Sequence, residues 1–188
     1  MLVISLMSLW LPMLLSAVCV QILSTIAWVF SPHHKSDFAK LPDEDGFLQA
    51  VRSQSLSPAQ YVFPYAMERA DQQNPQVIEK FTQGPVGLLT VFPAGLPNIG
   101  PKAGLSFVFY AFVSLAAGYL ASRTLAPSAE YLSVFRVTGT VAFMSYVGAT
   151  FPEAIWFGTP WKRVWKTVGD GLIYSLVTAG VFGWLWPV

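Results

Sequence analysis

Four long apolar runs alternate with polar stretches along the chain. Residues 3–30 contain no Asp, Glu, Lys or Arg. At about 1.5 Å per residue this run exceeds the ~30 Å hydrocarbon core of a bilayer, so it predicts a spanning helix that tilts, or bends at Pro12. Its length and its lack of an N-terminal Lys or Arg argue against a cleaved signal peptide and for a retained anchor. Further runs cover 104–122, 131–150 and 171–186. The pattern predicts an α-helical integral membrane protein with four transmembrane helices. Small residues four apart, Ser114 with Gly118 and Ala179 with Gly183, mark faces on which backbones could approach closely.

The polar stretch 31–103, between the first and second runs, is patterned like a small folded insertion. Carboxylates at Asp43, Glu44 and Asp45 precede a stripe of Phe47, Leu48 and Val51, as at a helix N-terminus. Asn74 and Pro75 open a second helix carrying Val77, Ile78 and Phe81, and Gly84 follows its end. Residues 60–65 and 85–92 read as strands. The expected order is helix–strand–helix–strand. The expected division is 1–30, first transmembrane helix; 31–103, insertion; 104–188, three transmembrane helices.

At about 160–169, Trp161, Val164, Trp165 and Val168 recur at helical spacing while Lys162, Arg163 and Lys166 fall on the other side. This predicts an amphipathic helix lying in the membrane interface ahead of the fourth span, with Trp156 extending the aromatic belt and the cations toward lipid phosphates.

Charge sharpens the class. Only 11% of residues are charged, against roughly a quarter in soluble domains, and the net charge is +1. No basic tract of the kind that tracks a nucleic-acid backbone is present, so no nucleic-acid partner is expected; the partners expected are the lipid bilayer and other membrane protein subunits. A single cysteine, Cys19, excludes an intramolecular disulfide and a cysteine-based zinc site. Nine of the eleven basic residues fall in segments 31–103 and 151–169. With four spans, this distribution places the insertion in the cytoplasm and both termini outside.

Candidate chemistry is sparse. The stretch from Ser31 to Gly46 holds His33, His34, two lysines and four carboxylates. Neighbouring histidines diverge by about 100° on a helix, whereas His33 and Asp37 would share a face at i, i+4. His33, His34 and Asp37 are therefore the candidate metal ligands, but two co-facing ligands are too few, and a solvated juxtamembrane hinge is the reading the sequence favours. Arg136 lies two turns into the third run, where an arginine either finds a partner or snorkels to the interface. No phosphate loop, nucleophile elbow or zinc-peptidase helix occurs, so neither a catalytic residue nor a cofactor is assigned.

The segments "SPHHKSDFAKLPDED", "GPVGLLTVFP", "YLSVFRVTGTVAFMSY" and "DGLIYSLVTAGVFGWLWP" resemble those of a family of small bacterial inner-membrane proteins to which no activity is attached. The resemblance spans nearly the whole chain and implies a multi-pass protein of the bacterial inner membrane. The expected function is a non-catalytic accessory subunit packed against a larger membrane complex, such as a respiratory or photosynthetic one. The alternative is a small membrane-embedded enzyme or carrier using the juxtamembrane His/Asp site.

Overall fold

The computed structural model describes residues 4–187. Two compact units are present: residues 39–97 form one, and 1–38 with 98–188 the other.

The smaller unit follows the order read from the sequence. Helix α2 (Glu44–Ser53) starts where the Asp43 carboxylate accepts the Gly46 N–H at 3.0 Å. Strand β1 (Ala59–Phe63) pairs antiparallel with β2 (Gly87–Val91), Tyr61 opposite Leu89. Between them, α3 (Pro75–Gln83) is capped by Asn74, whose side chain accepts the Gln76 N–H, and ends at Gly84 in the left-handed region that glycine adopts freely.

In the larger unit, α1 (Trp10–Thr25) is preceded by a 3₁₀ turn (Leu6–Leu9) and followed by a π-helical turn (Ile26–Phe30). The other long helices are α4 (Ile99–Thr124), α5 (Tyr131–Val147) and α7 (Trp161–Trp184), with the short α6 (Thr150–Phe157) after α5. Helix α7 packs most extensively on α5 and also on α1, while α4 contacts α1 and α5. A dry cluster of Ile4, Leu9, Ala121, Val134 and Phe182 closes one end, where the Trp186 indole donates to the Ala126 carbonyl at 3.0 Å.

Small residues set these approaches, as the four-residue spacings suggested. Ser114 and Gly118 are buried, with Ser114 Oγ 3.0 Å from Ser16 Oγ, and Ala179 meets Gly139. Gly171 lies so close to α5 that a Cβ there would sit 2.4 Å from Val147 Cγ2.

Among the described residues, three helical segments are long and apolar enough to cross a membrane: Leu6–Phe30, Ile99–Thr124 and Tyr131–Phe157. The third continues through α6 to Phe157, beyond the expected end near residue 150, and carries Trp156 on its exposed surface. Around α7 the structure differs from the expectation. One continuous helix replaces an interfacial helix followed by a short span, so Lys162, Arg163, Lys166 and Asp170 occupy the first half of a 24-residue element. The expected stripe splits: Val164 is fully buried, whereas Trp161 and Trp165 are exposed. The buried face continues from Val164 through Asp170, Gly171, Tyr174 and Thr178 to Phe182, which a ten-residue window cannot reveal.

Replacing Gly171 by Ala is expected to destabilise the bundle by about 1–3 kcal/mol, because the added methyl overpacks the α5–α7 contact. Gly169→Ala, two residues away with open space around the position, should be neutral or stabilising by up to about 1 kcal/mol through helix propensity. Thermal unfolding of the two variants in the same detergent checks this contrast.

A histidine and carboxylate site between the first and last long helices

Residues 31–38 do not form the helix that a shared face for His33 and Asp37 would require. They run through consecutive turns, closed by Lys35 N–H to the Pro32 carbonyl and Asp37 N–H to the His34 carbonyl, each at 3.1 Å. In this conformation neighbouring histidines need not diverge by a helical angle. His33 and His34 face the same carboxylate, that of Asp170 on α7. The pairing to Asp37 is made by His34 rather than by His33, at i, i+3.

His34 is the centre of the site. Its Nδ1 lies 2.6 Å from Asp37 Oδ2 and its Nε2 lies 2.8 Å from Asp170 Oδ2. With a proton on each nitrogen, the ring donates to both carboxylates. The Trp28 indole stacks on it, ring centroids 3.7 Å apart and planes 4° from parallel. Trp28 belongs to the π-helical turn, which closes with Ser31 N–H to the Ile26 carbonyl at 2.9 Å; such widened turns recur at functional sites. His33 is more open. Its Nε2 is 3.6 Å from Asp170 Oδ1 and its side chain is 42% exposed.

Helix α7 also holds the turn itself. Lys166 Nζ donates to Asp37 Oδ1 at 2.5 Å, to Ser36 Oγ at 3.0 Å and to the His33 carbonyl. Arg163 lies over the Phe38 ring, 5.1 Å from its centroid. Lys166 was expected to face lipid phosphates with Lys162 and Arg163. Instead its side chain is only 14% exposed, because its partner is a fully buried carboxylate far away in sequence. Burial alone would raise the Asp37 carboxyl; the hydrogen bonds and charges of Lys166 and His34 outweigh it and hold the group below its ordinary value of 3.8. A lowered folded-state value means that this carboxylate adds stability above about pH 3.8, which is lost as the pH falls through the lowered value.

Three ligand atoms, one each from His33, His34 and Asp170, lie within 4.8 Å of one another. Two metal–ligand bonds of about 2.1 Å at the tetrahedral angle separate their ligand atoms by roughly 3.4 Å. The 3.6 Å from His33 Nε2 to Asp170 Oδ1 already matches this. His34 Nε2 meets the other oxygen, Oδ2, at 2.8 Å, so an ion between the two rings would take both carboxylate oxygens or turn the carboxylate, and the 2.8 Å contact would widen as the ion displaced the bridging proton. Asp37 then stands behind His34, fixing the tautomer that leaves Nε2 free to ligate. Beside Asp170 opens a cavity of about 130 Å³ walled by Trp28, Tyr110, Tyr146 and Tyr174.

Sequence reasoning identified His33, His34 and Asp37 but missed Asp170, Lys166 and Trp28. One signal was available: Asp170 borders the last apolar run, where a carboxylate is expensive unless partnered, and Lys166 precedes it by one helical turn. Arg136 is placed elsewhere, exposed on α5, with no ion pair among the described residues. Compared with protein-family models, curated proteins and solved structures, the chain matches none.

The Lys166–Asp37 pair should show strong coupling. Lys166→Met leaves buried Asp37 Oδ1 without its ammonium and Asp37→Leu leaves Lys166 with only neutral acceptors, so each single change should cost more than its share of the double change. A double-mutant cycle by thermal unfolding is expected to give a coupling of about 1–3 kcal/mol; additive effects would mean the pair is open to solvent.

Proposed function

We propose that this chain is a small membrane-embedded metalloprotein in which His33, His34 and Asp170 hold a divalent transition-metal ion where α1 meets the membrane surface. The observation that carries the proposal is the convergence of two imidazoles and one carboxylate, with the second nitrogen of His34 anchored on Asp37. Two nitrogens and one oxygen suit zinc or ferrous iron. Three protein ligands leave a position for water or a substrate oxygen, as in catalytic rather than structural sites. An ion so held supplies Lewis acidity to whatever oxygen occupies that position.

This favours the enzyme or carrier reading over the accessory-subunit reading, which rested on abundant aromatics, small-residue faces, an interfacial helix and the lack of a convincing site in the sequence. Membrane localisation is supported by the three long apolar helices. We place α7 as a fourth crossing, since its 24 residues rise about 36 Å and Arg163, Lys166 and Asp170 in its first half engage the protein's own turn. With the basic residues concentrated in 31–103 and 151–169, the site then lies at the cytoplasmic surface of a bacterial inner membrane and both termini lie outside.

Purified protein, analysed for metals after dialysis against zinc, is expected to retain about one ion per chain. His34→Ala and Asp170→Asn should retain none, and Asp37→Asn should bind about 10–100-fold more weakly. Native protein that leaves dialysis metal-free would overturn the proposal. For the orientation, a reporter active only outside the cytoplasm should be active when fused after Val188 and silent when fused at Gln73. The opposite pattern would invert the topology.

A further inference from the structure

Two hollows meet at the site, and both are lined by Asp170 and Tyr174. The first is the 130 Å³ cavity, whose tyrosine rings stand edge to face: Tyr146 and Tyr174 at 5.8 Å and 89°, Tyr110 and Tyr146 at 6.0 Å and 71°. Tyr110 is engaged, donating to Ser24 Oγ at 2.7 Å. The hydroxyls of Tyr146 and Tyr174 are buried and reach no acceptor at full hydrogen-bond geometry, Thr178 lying near the first and Ser24 near the second, and Tyr174 as a whole is only 8% exposed. Two buried donors short of a well-aligned acceptor, in a cavity that Asp170 also lines, favour an acceptor oxygen.

The second hollow is a groove of about 320 Å³ between α1 and α7. Its walls are Leu23, Ile26, Ala27 and Ile173, and its polar end is formed by Ser31, His33 and Asp170. From Ser31 back to Leu23 the groove follows α1 for roughly 12 Å. Ile26 and Ile173 are half exposed, so it opens sideways, toward lipid in a membrane. An occupant matching both hollows carries an oxygen acceptor at one end and an apolar chain at the other.

Charge narrows the class further. With neutral histidines as ligands, the Asp37 and Asp170 carboxylates are set against Lys166 and a divalent ion, which leaves a positive excess to which Arg163, over Phe38, adds. A carboxylate matches that sign. We propose that the site binds a long-chain fatty acid. The carboxylate takes the open position on the ion and accepts from the Tyr146 and Tyr174 hydroxyls, while the chain lies along Leu23, Ile26, Ala27 and Ile173. This deepens the metalloprotein reading and rests on it for the excess charge.

The test uses zinc-loaded native protein in lipid vesicles and a palmitate carrying a photoreactive diazirine in its chain. Adducts mapped by mass spectrometry should fall on Leu23, Ile26, Ala27 or Ile173. Unlabelled palmitate should suppress them at least tenfold more effectively than hexadecanol or methyl palmitate, which share the chain but lack the charge. Ile173→Trp, which fills the groove, should abolish the adducts. Tyr174→Phe should weaken the competition by palmitate several-fold without moving the adducts. Equal competition by all three compounds, or adducts spread over the outer faces of α4 and α5, would mean surrounding lipid only and would overturn the inference while leaving metal binding intact. Carboxylate-selective labelling that survives unchanged in His34→Ala protein shown to hold no metal would support the fatty-acid groove and count against the metal as its anchor.

Discussion

The interaction on which the arrangement depends is the bridge made by the His34 ring between Asp37 and Asp170. It joins a juxtamembrane turn to the last long helix, two elements 136 residues apart in sequence. Charged groups removed from water are costly unless fully paired, and here the pairing is nearly complete. Each carboxylate meets imidazole, Lys166 adds an ammonium to Asp37, and Trp28 covers the face of the ring. A network this closed fixes the register of the turn against α7. It also explains why the turn can dispense with helical hydrogen bonds: its geometry is imposed from outside by Lys166, Arg163 and Asp170.

The same network places chemistry at one end of the helices and dry packing at the other. Near Phe182, contact is apolar and the close approaches rest on small residues; near Asp170, tyrosines, a tryptophan and paired charges replace aliphatic packing. Apolar and charged contacts are thus largely separated along the length of α7. The apolar half holds the helices together, so the polar half can keep two histidines and a carboxylate around one point, beside a cavity lined by tyrosines. The proposed metal ion and acyl ligand both draw on that separation.

How much of this was legible in the sequence depends on the range of the interaction concerned. Helix caps at Asp43 and Asn74, the helix stop at Gly84 and the strands of the smaller unit are local, and local signals announced them. The small-residue faces at Ser114, Gly118 and Ala179 were visible because helix approach in lipid needs them whatever the partner. The site was half visible. His33, His34 and Asp37 stood out as polar residues in a greasy chain, but a helical reading of the turn gave the wrong pairing. Lys166 was misread because a cation beside tryptophans has an ordinary explanation at a membrane surface. Its actual partner is set by tertiary packing, which periodicity does not record.

The central claim is that His33, His34 and Asp170 form a metal centre, and X-ray absorption at the metal edge of the purified, zinc-loaded protein addresses it directly. The account predicts a first shell of nitrogen and oxygen at about 2.0–2.2 Å, with outer-shell scattering from two imidazoles that falls to one in His33→Ala protein. A shell without imidazole scattering, or one unchanged by removing His33, would contradict it.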